Sequence, residues 1–244
     1  MTIAKPPWTK LGRRLESCAR KALYDFSMLA DCSHVGIALS GGKDSLTLLY
    51  LLHAIKRGGF APFQLTAIHV SGAFSCGANI AENLLTSICK ELEVPLIVRH
   101  TEQSLATLEC YSCSRKRRSL LFAAAKEAGI STLAFGHHKD DSAQTLLMNL
   151  FHKGEFATML PKLTMTDYEV TIIRPLIYIS EQEISAFAKL YQFRRISCQC
   201  PVGQRSMRKK TDQLLSDLEE NFPNIRDNVA SAGLVYGSQK ARRP

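Results

Sequence analysis

Residues 35–52 read VGIALSGGKDSLTLLYLL, and this stretch decides the fold. Val35 to Leu39 is an apolar run too short for a helix, Ser40-Gly41-Gly42 follows, and the residues from Ser45 to Lys56 are strongly helical. The pattern predicts a strand, a glycine turn and a helix. The same alternation continues along the chain, with strands expected at 63–70, 95–98, 132–135 and 170–173 and helices at 78–92, 113–128 and 139–152. Repeated βα units predict an α/β fold, a doubly wound parallel sheet covered by helices on both faces. Ligands of such sheets sit beyond the carboxyl ends of the strands, and the glycine loop lies at one of those ends. An amphipathic helix is expected over 11–30, and helices at 181–190 and 207–218 with Cys198 and Cys200 between them. The expected divisions are an N-terminal helical extension over 1–32, a nucleotide domain over 33–178 and a C-terminal helical segment over 179–244.

A loop that holds phosphate needs glycines so that backbone amides can approach the oxygens, and it gains from the positive end of the following helix. Gly41 and Gly42 supply the approach, Lys43 a point charge, Ser40 and Ser45 hydroxyl donors, and Asp44 a ligand for the magnesium ion that accompanies ATP. GxxxxGK[ST] is absent from the sequence, which removes the main support for a kinase or GTPase. SGGKDS after a strand resembles instead the PP-loop of the N-type ATP pyrophosphatases, a Rossmann-like fold of the adenine nucleotide alpha hydrolase type. The resemblance implies that ATP is split between its α and β phosphates and that AMP is transferred to a substrate oxygen.

Composition bounds the rest. The 244 residues are 45% hydrophobic and 22% charged, ordinary for a globular protein with a real core. A membrane-spanning run and an N-terminal apolar leader are both absent from the sequence, so a cytoplasmic protein without membrane contact is expected. A formal charge of +9 arises partly from two runs, Arg115 to Arg118 and Arg205 to Lys210. Such runs point to a polyanion, although the plainer reading is a solvated helix face.

In a reducing compartment, clustered cysteines point to metal or redox chemistry rather than to disulfides. Cys110 and Cys113 form a CxxC, which by itself fits a zinc half-site, an iron-sulfur half-site or a redox pair. ECYSCSRKRR around them, GHHKDDSAQTLLMNLF at 136–151, MLPKL at 159–163 and IRPLIYISEQEI at 173–184 together resemble the tRNA 2-thiocytidine synthetase family over nearly the whole chain. That resemblance implies a 4Fe-4S cluster on three cysteines, here Cys110, Cys113 and Cys200, with Cys198 as the competitor for the third place. The family carries CxxC in that later segment, whereas this chain has Cys198-x-Cys200. Cys18, Cys32, Cys76 and Cys89 are isolated and are read as small buried hydrophobes.

The resemblance also makes Gly136 to Asp141 a second nucleotide-side motif, with Gly136, His138 and Asp141 near ATP. The plainer reading is that Asp140 or Asp141 caps the helix that begins there. Arg174 is a further phosphate or RNA candidate. Because both basic runs flank the cysteines, they are expected to steer tRNA. The implied activity is ATP-dependent thiolation of a tRNA pyrimidine at C2, by resemblance a cytidine of the anticodon loop. Sulfide or a cysteine desulfurase would supply the sulfur, and a homodimer is an open expectation. The rival readings are a tRNA lysidine synthetase, which has no use for the cysteines, a tRNA uridine thiolase, and a non-catalytic RNA-binding or cluster-carrying protein, which an intact SGGKDS opposes.

Overall fold

The strand expected before the glycine loop lies at the centre of the sheet. In the computed structural model, which describes residues 4–72, 78–101, 110–193 and 207–237, with side chains from 82 onward in the third helix and from 114 onward in the fourth, β1 (His34–Ala38) runs into α2 (Lys43–Arg57). The remaining core elements are β2 (Gln64–Gly72), α3 (Ala78–Glu91), β3 (Leu96–Thr101), α4 (Cys110–Glu127), β4 (Thr132–Ala134), α5 (Lys139–Lys153), β5 (Lys162–Met165) and β6 (Val170–Ile173). A helix α1 (Lys10–Asp25) precedes them, and α6 (Glu181–Leu190), α7 (Met207–Glu219) and α8 (Ile225–Tyr236) follow.

The sheet order is β3-β2-β1-β4-β6-β5. β1 pairs in parallel with β2 and with β4, and β5 alone is antiparallel, against β6. The chain winds outward from β1 through β2 to β3, then returns to the other side of β1 at β4. The topological switch therefore lies between β1 and β4, and the crevice outside the carboxyl ends of those two strands is where such a sheet binds ligands.

Successive strand residues face opposite sides, as the period of two requires. Ala67 and Ile173 join the core beneath α1, α2, α3 and α6, while their neighbours Ile68 and Ile172 join a second core beneath α4. Leu46, Leu48, Leu49, Leu51 and Leu52 of α2 are all fully buried, and each such burial stabilises the fold by about 1.5–3 kcal/mol. A third apolar cluster joins Ala143 and Leu147 of α5 to Leu215 of α7 and Ala230 of α8. Among the described residues no helix is long and apolar enough to cross a membrane.

Several elements depart from the expected bounds. α1 stops at Asp25 rather than at residue 30, and Ser27 just beyond it has φ +46°. β5 and α8 were not expected at all. Cys89 is buried in the core, and Cys18 and Cys32 pack half-buried against it. Cys76, Cys198 and Cys200 lie outside the described residues.

Candidate active site

The glycine loop turns sharply because Gly41 holds φ +86°, a conformation costly for any residue with a Cβ. Gly42 caps α2, and Lys43, Asp44 and Ser45 form its first turn. First-turn amides have no intrahelical acceptor, so they offer an anion N–H groups together with the positive end of the helix. The two serines, expected as phosphate donors, bond within the loop. Ser45 Oγ donates to Gly42 O at 3.0 Å and lies 3.1 Å from Ser40 Oγ, which accepts from Gly42 N at 3.3 Å. A hydroxyl has one proton, so Ser45 spends its own on the backbone and Ser40 donates to Ser45. Both hydroxyls thereby brace the loop.

Lys43 Nζ sits between Asp44 Oδ1 at 2.8 Å and Glu181 Oε1 at 2.9 Å. Burial alone would lower its pKa, but the two carboxylates outweigh that and raise it, so the ammonium stays charged. Glu181 lies in the 173–184 stretch but carries no assigned role in the sequence. It reaches the loop because the start of α6 is tied to α5: the Glu181 amide donates to Asp140 Oδ2 at 2.7 Å.

Across the switch point, β4 delivers the second motif. Gly136 packs so closely on the first turn of α2 that a Cβ there would stand 3.0 Å from the Asp44 carbonyl carbon and the Ser45 nitrogen. Those are backbone atoms that cannot move aside cheaply, so glycine permits the two motifs to meet. His138 is the N-cap of α5 and is 4% exposed. Its Nε2 lies 3.4 Å from Asp141 Oδ2 and 3.9 Å from Asp44 Oδ1. Asp141 accepts from the His138 amide at 3.1 Å and pairs with Arg208 of α7. Burial would raise the Asp141 pKa, but the charges of His138 and Arg208 prevail and hold it below the ordinary range. The two acids have thus divided: Asp141 caps its own helix and faces the site, while Asp140 caps α6 and lies 3.5 Å from Arg226 of α8.

A cleft of about 540 Å³ opens between these motifs, a size suited to a nucleotide. Ala38, Leu39, Ile68, Val70 and Leu121 form an apolar strip, and Ser40, Asp44, Ser45, His137 and Asp141 border the polar side. Arg117 and Arg208 also line it. Each comes from one of the two basic runs, so at least one member of each run serves the cleft rather than a solvated face. Arg117 is held by a 2.9 Å bond to Val70 O, at the carboxyl end of β2. Arg174, a phosphate or RNA candidate in the sequence, is 8% exposed and buried behind His137; its Nε donates to His137 Nδ1 at 3.3 Å and its Nη1 to Leu160 O. Burial lowers Arg174 to about 10.

Among the described residues no three His, Cys, Asp or Glu side chains converge as a metal cage. Asp44 alone, together with nucleotide phosphates and waters, is the kind of set that magnesium accepts. The side chains of Cys110 and Cys113 are outside the described set, but their backbone forms the first turn of α4. Cys113 is four residues before Arg117, about one helical turn from the cleft.

Burial depresses the pKa of His34, His53 and His69, and it pushes His137 down to about 3. Unfolded histidines titrate near ~6.5, so between that value and the folded ones the unfolded chain binds protons that the folded chain refuses. Stability is therefore expected to fall as pH drops from 7 to 5. Melting temperatures measured at fixed ionic strength check this, and a flat or rising profile toward acid would contradict it.

The sequence profile of the PP-loop domain matches residues 9–197. A tRNA-cytidine(32) 2-sulfurtransferase of Xanthomonas euvesicatoria pv. vesicatoria is 36% identical over 96% of this chain and 79% of its own. One from Syntrophotalea carbinolica is 32% identical, over 91% and 89%. Among solved structures, the U34-tRNA thiolase NcsA from Methanococcus maripaludis, with its 4Fe-4S cluster, superposes with a TM-score of 0.74 at 24% identity, covering 91% of this chain and 77% of that one.

Proposed function

This chain belongs to the PP-loop domain family and to the family of its tRNA-cytidine(32) 2-sulfurtransferase relatives, and from that premise we propose that it thiolates a tRNA cytidine at C2 at the expense of ATP. The observation that supports the reading is the position of the phosphate loop and of Arg117 at one cleft. The SGGKDS loop borders it, and Arg117, one turn along α4 from Cys113, borders it as well.

In the first step the C2 oxygen of the base attacks the α-phosphorus, the bond to the β-phosphate oxygen breaks, and pyrophosphate leaves. The first-turn amides of α2 and Lys43 hold the departing charge, and Asp44 would hold a magnesium ion, which when bound would share that charge. An amide-like oxygen leaves poorly and AMP leaves well, so the adenylated carbon is open to substitution. Hydrosulfide adds at C2, AMP departs with the former oxygen, and loss of a proton leaves the thiocarbonyl. Cys110, Cys113 and a cysteine of the later segment, Cys200 or its neighbour Cys198, are the thiolates proposed to hold a 4Fe-4S cluster, which when bound supplies the sulfur at the cleft. The solved thiolase with its cluster supports a cluster as the cofactor, and the names of the sequence relatives favour cytidine over uridine.

Gly136, His138 and Asp141 are assigned to the nucleotide. Residues 1–32 and 179–244 are assigned as helical extensions of a domain over 33–178. Sulfide or a cysteine desulfurase as donor, a homodimer and a cytoplasmic site complete the proposal.

The test is anaerobic incubation of the holoprotein with ATP, magnesium, sulfide and tRNA, followed by mass analysis of nucleosides. One 2-thiocytidine per AMP is expected. Absence of tRNA-dependent AMP, or sulfur found only in uridine, would overturn the assignment.

A further inference from the structure

We propose that His137 is a neutral N–H donor to the α-phosphoryl group of the bound nucleotide, set in that tautomer by Arg174 behind it. This rests on the ATP chemistry proposed above and assigns a role to a residue that neither motif reading used.

The tautomer follows from the partner. Arg174 Nε donates to His137 Nδ1 at 3.3 Å. A guanidinium has no lone pair to offer and keeps its proton in proteins, so Nδ1 must accept and a neutral ring must carry its hydrogen on Nε2. Arg174 is itself fixed, 8% exposed and bonded to the Leu160 carbonyl. The imidazole lies nearly parallel to Phe135, with centroids 5.6 Å apart and planes 8° from coplanar, which holds its plane while Arg174 sets its rotation. A half-buried ring beside a buried guanidinium does not readily take up a second proton near neutral pH.

The vector of that N–H is then the remaining question. His137 borders the cleft, and among the described residues no protein atom accepts from its Nε2. The cleft has two ends: the apolar strip of Ala38, Ile68, Val70 and Leu121 suits a purine, and the amides at the start of α2 suit the β and γ phosphates. A nucleotide laid along the cleft would bring its α-phosphoryl between those ends, and His137, just beyond the carboxyl end of β4, lines the same cleft. The non-bridging oxygens of that phosphoryl are where charge develops as the base oxygen attacks. A donor that neither gains nor loses a proton strengthens its bond there without reorganising. The proton stays on Nε2 throughout.

The experiment pairs substitution with phosphorothioate nucleotides. His137→Leu is expected to slow tRNA-dependent pyrophosphate release about 10²-fold, the cost of losing one such donor, with the KM for ATP changed less than about threefold. His137→Gln, whose amide N–H reaches near the Nε2 position, is expected to recover about tenfold of that loss. One diastereomer of ATPαS should slow the wild-type protein and leave His137→Leu no slower than it is with ATP. Nitrogen-15 shifts of the imidazole should report a bare Nδ1 and a protonated Nε2, and Arg174→Met should show mixed tautomers. Pyrophosphate release by His137→Leu within about threefold of wild type overturns the proposal, and so does a wild-type ring protonated on Nδ1. A thio effect of equal size in wild type and His137→Leu does so as well. If the wild-type protein releases no pyrophosphate with tRNA, the proposed function fails first and this inference with it, a result distinguishable because every variant is then equally silent.

Discussion

Asp44→Ala is expected to lower tRNA-dependent pyrophosphate release by on the order of 10³-fold while leaving the protein folded. Two losses coincide at this carboxylate. Asp44 is the proposed magnesium ligand, and its Oδ1 is one of two anchors of Lys43 Nζ, at 2.8 Å. Without it Lys43 keeps only Glu181, and the charge that should meet the phosphates is drawn toward α6. Stability changes little, because the side chain is about one-third exposed and alanine is the best helix former. What is lost is the favourable carboxylate in the first turn of α2, worth about 0.3–1 kcal/mol. Asp44→Asn separates the two effects of charge and shape: it keeps the size and should be nearly as inactive. Pyrophosphate release and the melting temperature, measured on the same samples, check the expectation. AMP formation by Asp44→Ala within a few-fold of wild type would remove Asp44 from the site.

Cys113→Ala divides the reaction in two. The proposed adenylation uses the loop, Lys43 and Asp44, none of which depends on a cysteine. Pyrophosphate release is therefore expected to persist within about tenfold, while 2-thiocytidine falls by at least about 10³-fold, the scale lost when a group essential to one step is removed. Iron and acid-labile sulfide should fall with it. Cys110→Ala should behave in the same way. Cys89→Ala is the control: its thiol lies in the core, where burial pushes its pKa up to about 12 and makes it a poor ligand. That variant should retain thiolation. Wild-type thiolation by Cys113→Ala would sink the cluster assignment and leave the ATP chemistry standing.

The parts of the molecule that could be read without coordinates share a physical cause. β6 and α6 fall at the expected residues, 170–173 and 181–190, because their apolar spacing is set by burial against a large core. α8 escaped because its packed face mixes Ile225 and Val229, only partly buried, with the small residues Ala230 and Gly233. Gly233 lies against Thr158 and Leu146, and Ala230 is buried beside Leu147 and Leu215, so the helix docks with only a weak hydrophobic stripe. β5 is a four-residue edge strand with no buried position, too short and too exposed to alternate visibly.

By itself the sequence determined the doubly wound sheet, the strand-loop-helix at Ser40 to Ser45 and the second motif at Gly136 to Asp141, because local periodicity and glycine stereochemistry act over a few residues. Only the tertiary structure decided which side chains share the cleft. It placed Arg117 and Arg208 on the lining of the cleft, withdrew Arg174 behind His137, set Glu181 on Lys43 and gave Asp140 and Asp141 different partners. The reason is that a long cation or a carboxylate takes its partner from whatever the packed helices bring within about 3 Å. That choice depends on the switch between β1 and β4, which lie side by side in the sheet although nearly a hundred residues separate them in the chain.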